Sequence, residues 1–166
     1  MKAATAADAH FFAKELRARS NVIHDALLFG SVLRDGKGND VDLILIVDEQ
    51  LARAWWKESR YDIRVRMGTR WLPLRRVIKK YCSVLDHAFI AARKERRIAV
   101  ASRILGVDIL SLVRERGIAI DVFLLPANWR HGLALNKEIL PMTGVGSHHE
   151  TVRFLERVAA SAKHIS

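Results

Sequence analysis

The chain has 166 residues, half of them hydrophobic, and a formal net charge of +10 at pH 7. This length suits one domain with a core of its own, and this hydrophobic content excludes a disordered tail. The sequence has no apolar stretch long enough to cross a membrane, and residues 1–20 lack the apolar segment of a signal peptide. The single cysteine, Cys82, excludes an intramolecular disulfide. We therefore expect a globular, cytoplasmic, single-domain protein over residues 1–166.

Hydrophobic periodicity predicts alternating helices and strands along the chain. The first predicted elements are helix Ala4–Ser20, strand Val22–Phe29, short helix Val32–Asp35, turn Gly36–Asn39, strand Val41–Val47 and helix Gln50–Ser59. Next come a short strand Asp62–Met67, a helix from near Pro73 towards Ala101 with a break near Arg93–Arg97, and helix Val107–Arg116 capped by Gly117. The last are strand Ile118–Leu125 stopped by Pro126, helix Leu133–Leu140, loop Thr143–Gly146 and helix Ser147–Ile165. This order predicts an α/β (α+β) fold with a small mixed sheet flanked by helices.

Two aspartates stand out at the start of the second long strand. Asp40 and Asp42 are two residues apart, so on a strand both side chains point to the same face. Two carboxylates on one face of an apolar strand repel each other and are costly to bury, and a divalent cation relieves both problems. Carboxylate oxygens suit Mg²⁺. Asp121, in the later strand Ile118–Leu125, is a candidate third ligand from a neighbouring strand.

The pair Gly30-Ser31 lies between the first strand and a short helix. Glycine lets the backbone turn and lets a ligand approach closely. Free backbone N–H groups at such a turn bind phosphate. A phosphate-binding turn beside a set of carboxylates predicts a site for metal-assisted phosphoryl chemistry.

The ordered set Gly30-Ser31, Asp40-Val41-Asp42 and Asp121 resembles the nucleotidyltransferase superfamily that includes polymerase beta. The run LLFGSVLRDGKGNDVDLILIV and the small size are most similar to the minimal, prokaryotic-type members. The resemblance covers roughly Glu15–Asp48 and Gly117–Pro126. It implies a nucleotidyltransferase-like domain in which a long, mainly helical insertion, about residues 50–116, precedes the third motif strand.

The resemblance also implies a role for each site residue. Asp40 and Asp42 would hold the Mg²⁺ or Mn²⁺ that bridges a nucleoside triphosphate, and Asp121 would bind a second metal and help to deprotonate the acceptor hydroxyl. Gly30 and Ser31 would contact the β- and γ-phosphates. Two further residues would neutralise phosphate charge or simply belong to a solvated turn, namely Arg34 and Lys37. Asp25 and Asp48 are interpreted as structural, the first at a strand edge and the second paired with an arginine.

Most of the positive charge lies in the insertion. The basic residues in the middle of it include Arg60, Arg64, Arg66, Arg70, Arg75, Arg76, Lys79, Lys80, Arg93, Lys94, Arg96, Arg97 and Arg103. They are either solvated helix faces or a groove for an acceptor phosphate backbone such as RNA. The interleaved aromatic residues Trp55, Trp56, Tyr61, Trp71 and Tyr81 favour a core or an interface over base stacking. A partner-protein contact and a homodimer contact remain open.

Three functions fit the sequence. The first is a nucleotidyltransferase that acts on RNA, a protein or a small molecule. The second is a nucleotidyltransferase-like component of a toxin–antitoxin type module that mainly binds or modifies a partner protein. The third is a basic nucleic-acid-binding module without catalysis, and the complete set of three aspartates argues against it.

Overall fold

The computed structural model describes residues 2–52, 54, 64–67, 69–73, 94–127, 129, 156–158 and 160–166. The strands are β1 (Ala4–Thr5), β2 (Ile23–Phe29), β3 (Lys37–Gly38), β4 (Asp40–Val47), β5 (Arg64–Met67), β6 (Arg70–Pro73), β7 (Ala119–Pro126) and β8 (Lys163–His164). The helices with complete bounds are α1 (Ala6–Arg19), α2 (Gly30–Asp35), α3 (Lys94–Leu105) and α4 (Ile109–Arg116). Residues 49–52, 54 and 156–158 are also helical.

The central sheet has four strands in the order β7-β4-β2-β8. Strand β4 is parallel to β7 and antiparallel to β2, so the sheet is mixed, as predicted. Residues 43–47 of β4 and 120–126 of β7 are all buried. Such continuous burial is expected of strands that are covered on both faces. The α/β class with a small mixed sheet flanked by helices is therefore confirmed.

Helices pack against this sheet and complete the core. Helix α1 contacts β2 and β4 through the buried side chains of Phe12 and Leu16, and α3 contacts β7. Helix α4 begins at an Asp108 cap, whose carboxylate accepts a hydrogen bond from Ser111 N at 3.0 Å, and ends at Gly117. The predicted glycine cap at Gly117 is confirmed, because its φ of 71° is in the left-handed region. Trp129 is buried as well.

Asp8 connects the start of α1 to α4. Its side chain is 2 % exposed and accepts hydrogen bonds from Thr5 N at 2.9 Å, Thr5 Oγ1 at 2.7 Å and Arg116 Nε at 2.6 Å. Removal of this carboxylate leaves the partly buried Thr5 donors without their acceptor and breaks the ion pair with Arg116. We expect Asp8→Ala to lower the free energy of unfolding by about 3 kcal/mol in urea titrations.

The matched control for this change is Asp35→Ala. Asp35 is paired with Arg34, but both side chains are largely exposed, and exposed pairs contribute little. We expect this substitution to change the stability by less than about 0.5 kcal/mol. Equal losses for the two variants would show that the Asp8 network does not stabilise the fold.

Several predicted boundaries were wrong. Helix α1 begins at Ala6 rather than Ala4, because residues 4–5 pair with β3, inside the predicted turn. Strand β6 ends at Pro73, and the helix predicted to begin at or near that residue lies outside the described residues. Of the strand predicted over Asp62–Met67, residues Arg64–Met67 form β5, one arm of a hairpin with β6. Helix α3 continues without a break from Lys94 to Leu105.

The chain terminus also differs from the prediction. The helix predicted over Ser147–Ile165 does not reach its expected end, because β8 pairs with residues 27–28 of β2. Ile165 N donates a further hydrogen bond to Ala26 O at 3.0 Å. A strand edge offers unpaired N–H and C=O groups, and here the last residues satisfy them. At the opposite edge, Pro126 is included in β7, where an edge position tolerates a residue without an N–H group.

Other predictions lie outside the described residues. These include the helix between Pro73 and Arg93, helix Leu133–Leu140, loop Thr143–Gly146 and the environment of Cys82 and of the aromatic cluster. Within the described part of the chain, no helix has both the length and the apolar character needed to span a membrane.

Candidate functional site

The sheet brings the three predicted aspartates to one place. In the parallel pairing of β4 with β7, Asp42 is opposite Asp121, and Asp40 is opposite Ala119. Asp40 and Asp42 share a face because they are two residues apart on β4. On its other side, Asp42 is paired with Phe29, which directly precedes Gly30. The start of β4 therefore lies between the predicted phosphate-binding turn and the third carboxylate.

Gly30 makes room for the carboxylate of Asp42. Its φ is 75°, in the left-handed region, and a Cβ atom at this position would lie 2.0 Å from Asp42 Oδ2. Any side chain at residue 30 would therefore displace the Asp42 carboxylate. A second glycine has a similar role, since a Cβ atom on Gly38 would lie 2.1 Å from Ser31 Oγ. The turn residues and the site side chains are packed directly against each other.

The carboxyl group of Asp42 is partly buried among other charges. Burial, followed by the negative charges of Asp40 and Asp121, raises its pKa from 3.8 to about 7, against the weaker opposing effect of Lys94 and Arg97. Ionised Asp42 is thus in an unfavourable environment. Additional positive charge near this group would stabilise its ionised form.

The structure reveals two site residues that the sequence analysis placed only within a general basic region. Lys94 Nζ forms an ion pair with Asp40 Oδ2. Arg97 forms a forked contact with Asp121, with Nε donating to Oδ1 at 3.0 Å and Nη2 to Oδ2 at 2.5 Å. The Arg97 guanidinium also lies 4.3 Å from the centre of the Phe123 ring. The signal in the sequence that could have identified Lys94 and Arg97 was their spacing of three residues on one predicted helix.

The other two predicted site residues, Arg34 and Lys37, lie on the protein surface. Arg34 and Lys37 are both exposed, and Arg34 is engaged with the neighbouring Asp35, to which Nη2 donates at 2.9 Å. The structure does not bring Arg34 to the three aspartates, and its phosphate role stays a prediction.

Asp25 and Asp48 have structural contacts. Asp25 forms an ion pair with His164 of the edge strand β8 and accepts a hydrogen bond from Ala26 N at 2.8 Å. Asp48 accepts a hydrogen bond from Gln50 N at 2.8 Å and so caps the helical residues that follow it. The predicted arginine partner of Asp48 stays a prediction.

The three aspartates provide suitable donor chemistry for a hard divalent cation, since all are carboxylates from adjacent strand positions and Asp42 lacks full charge compensation. Their oxygens, however, are directed partly towards Lys94 and Arg97. Among the described residues, no group of three or more His, Cys, Asp or Glu side chains is arranged to hold a metal ion. The residue types fit a metal, whereas the present side-chain arrangement favours ion pairs with α3.

Comparison of the chain with protein-family models, curated proteins and solved structures finds no match.

The raised pKa of Asp42 predicts how stability depends on pH without added metal. Between pH 4 and 7 the folded state holds the Asp42 proton more tightly than the unfolded state does. The stability contributed by this group is therefore greatest near pH 4 and is lost as the pH rises through about 7. The free energy of unfolding lost over this pH range is at most about 4 kcal/mol.

Urea unfolding in EDTA at several pH values tests this expectation. The control is Asp42→Asn, which cannot ionise and should be the more stable protein at pH 8, with the difference disappearing near pH 4. Parallel stability curves for the two proteins would contradict the prediction.

Proposed function

We propose that the protein is a metal-dependent nucleotidyltransferase, which moves a nucleoside monophosphate from a nucleoside triphosphate to an acceptor hydroxyl. The observation that carries the proposal is the pairing of Asp42 with Asp121 on one side and with Phe29, next to Gly30, on the other. This register brings the predicted phosphate-binding turn and the three carboxylates together from distant parts of the chain. The order of these residues along the chain is also that of the superfamily the sequence resembles.

In this proposal, Asp40, Asp42 and Asp121 hold Mg²⁺ or Mn²⁺, which when bound neutralises negative charge on the triphosphate. Gly30 and Ser31 contact the β- and γ-phosphates through backbone N–H groups and the Ser31 hydroxyl. Asp121 accepts the proton of the acceptor hydroxyl. The acceptor oxygen then forms a bond to the α-phosphorus, and the bond from that phosphorus to the pyrophosphate oxygen breaks.

The net charge of +10 favours a polyanionic acceptor such as RNA over a cationic small molecule. The described part of the basic insertion contains the hairpin of β5 and β6 together with α3 and α4. We assign acceptor recognition to this insertion, since it contains most of the basic residues and connects two strands of the site.

The direct test uses each nucleoside triphosphate, radiolabelled at the α-phosphate, with Mg²⁺ or Mn²⁺ and either total RNA or cell lysate. We expect metal-dependent transfer of label to a macromolecule. Label on RNA supports an RNA acceptor, and label on one protein encoded beside this chain supports the toxin–antitoxin type module. Absence of transfer together with absence of nucleotide and metal binding would refute the proposal.

A further inference from the structure

Two positively charged side chains of helix α3 contact carboxylates of the site. Lys94 and Arg97 are three residues apart, a spacing that puts them on one face of the helix. Lys94 contacts Asp40 and Arg97 contacts Asp121. Two of the three candidate metal ligands are therefore already neutralised by side chains of the same protein.

The two ion pairs differ in how readily they can separate. Arg97 and Asp121 have side chains only 9 % and 11 % exposed, and the guanidinium is additionally held over Phe123. Breaking a buried, forked pair is costly. The side chains of Lys94 and Asp40 are 30 % and 27 % exposed, so water can solvate both charges when they part. Lysine is also a flexible point charge without a fixed fork. The Lys94–Asp40 pair is thus the exchangeable one.

A divalent cation and the Lys94 ammonium cannot both lie close to the same Asp40 oxygen, because two positive charges repel strongly at contact distance. Removal of Lys94 from Asp40 is therefore a condition for cation binding there. The displaced ammonium remains tethered to the start of α3 beside the site. The phosphate oxygens that arrive with the cation offer it a new anionic partner.

We propose that Lys94 is a displaceable counter-ion, which blocks Asp40 in the nucleotide-free protein and moves to the triphosphate when the cation and nucleotide bind. This inference rests on the proposed function and names a residue of the same site. Lys94 thereby makes cation binding depend on the phosphate ligand. Arg97 stays beside Asp121 as a positioning residue, since its charge is spread over the guanidinium and each Asp121 oxygen keeps a second lone pair for another ligand.

The charge balance supports this exchange. When Asp42 is ionised, the three carboxylates of the nucleotide-free site face the two cations Lys94 and Arg97, which leaves one negative charge in excess. A triphosphate adds about four negative charges, and two divalent cations add about four positive charges. The site keeps the same excess charge in both states, provided that Lys94 remains within it.

The test is a pair of titrations on Lys94→Met. We expect Mn²⁺ alone to bind about fivefold to tenfold more tightly than to the wild type, because the competitor on Asp40 is gone. We expect Mg²⁺ with inorganic tripolyphosphate to bind about tenfold more weakly, because a phosphate contact is lost. Calorimetry measures both affinities, and tripolyphosphate avoids the need to know the base. Thermal unfolding confirms that each variant is folded.

Two control variants separate this exchange from a general effect of charge. Arg96→Met removes the same charge from an exposed position on the same helix. It should leave the Mn²⁺ affinity within about twofold of the wild-type value. Lys94→Arg keeps a positive charge beside Asp40 and can form a forked contact with it, so this variant should not bind Mn²⁺ more tightly than the wild type.

Opposite changes in the two affinities of Lys94→Met support the exchange. If the wild type binds both ligands and Lys94→Met changes both affinities in the same direction, or neither, this inference is overturned while the proposed function stands. If neither the wild type nor Lys94→Met binds Mn²⁺ or tripolyphosphate, the proposed function and this inference both fail.

Discussion

Asp42→Asn should abolish nucleotidyl transfer and leave the protein folded. Asp42 lies between Gly30 and Asp121, so it is the carboxylate nearest the centre of the site. An amide has almost the same shape but carries no charge, and therefore binds a divalent cation more weakly and does not compensate its charge. Loss of such an electrostatic contribution reduces turnover by about 10³-fold or more. The initial rate of label transfer, measured with saturating Mg²⁺ and nucleotide, checks this expectation.

The stability of the same variant gives the result a second, independent readout. The environment of Asp42 disfavours its ionised form, so a neutral side chain should make the metal-free protein more stable at pH 8. A less active and more stable variant distinguishes a functional carboxylate from a structural one. An inactive variant that is also strongly destabilised would indicate that Asp42 mainly supports the fold.

Asp48→Asn is the matched control for this substitution. Asp48 follows the same strand, is exposed, and caps the helical residues that follow through its side-chain oxygen. Asparagine caps helices nearly as well as aspartate. We expect transfer within about twofold of the wild-type rate, given the distance of an exposed strand-end charge from the site. Wild-type rates for both substitutions would exclude Asp42 from the chemistry.

Gly30→Ala should impair both stability and transfer. Alanine is strained at a φ of 75°, and its methyl group would lie 2.0 Å from Asp42 Oδ2, so the carboxylate or the turn must move. The strain and the enforced displacement together should cost about 2–4 kcal/mol. Misplacement of a reacting group by about 1 Å lowers rates by about 10²-fold. Urea unfolding and the transfer assay measure the two effects.

Gly36→Ala is the control that separates backbone strain at a positive φ from the steric contact with Asp42. Gly36 has the same φ of 75°, but among the described residues no atom beyond its chain neighbours lies within 4 Å of the position that a Cβ would occupy. Gly36→Ala should therefore lower the free energy of unfolding only by the backbone strain, about 1–2 kcal/mol. The difference between the two variants measures the contact with Asp42. Equal losses of stability would mean that the turn can move without a loss of free energy and that close contact between residue 30 and Asp42 does not matter for the fold.

Local sequence patterns predicted the elements that carry the site. Strands β2, β4 and β7 fall within a few residues of their expected bounds, because long apolar runs bury themselves in a sheet whatever surrounds them. The shared face of Asp40 and Asp42 follows from the two-residue repeat of any strand. The glycine cap of α4 was also predicted, since that position favours a residue without a side chain.

The element ends were predicted less well, because partners distant in sequence determine them. The first residues of the predicted N-terminal helix form β1, since β3 offers backbone hydrogen-bonding groups there. The last residues leave the predicted final helix for the edge of β2, for the same reason. A helical period in the sequence contains no information about an open strand edge elsewhere in the fold.

By itself, the sequence determined the residue types of the site, the turn beside them and the shared face of two carboxylates, since all of these follow from local backbone geometry. The tertiary structure alone decided that Asp121 lies opposite Asp42, because a parallel register depends on a connection of about 70 residues. It also decided which basic residues meet the carboxylates. Lys94 and Arg97 were two among many similar charges, and only the packing of α3 against β7 directs them to Asp40 and Asp121.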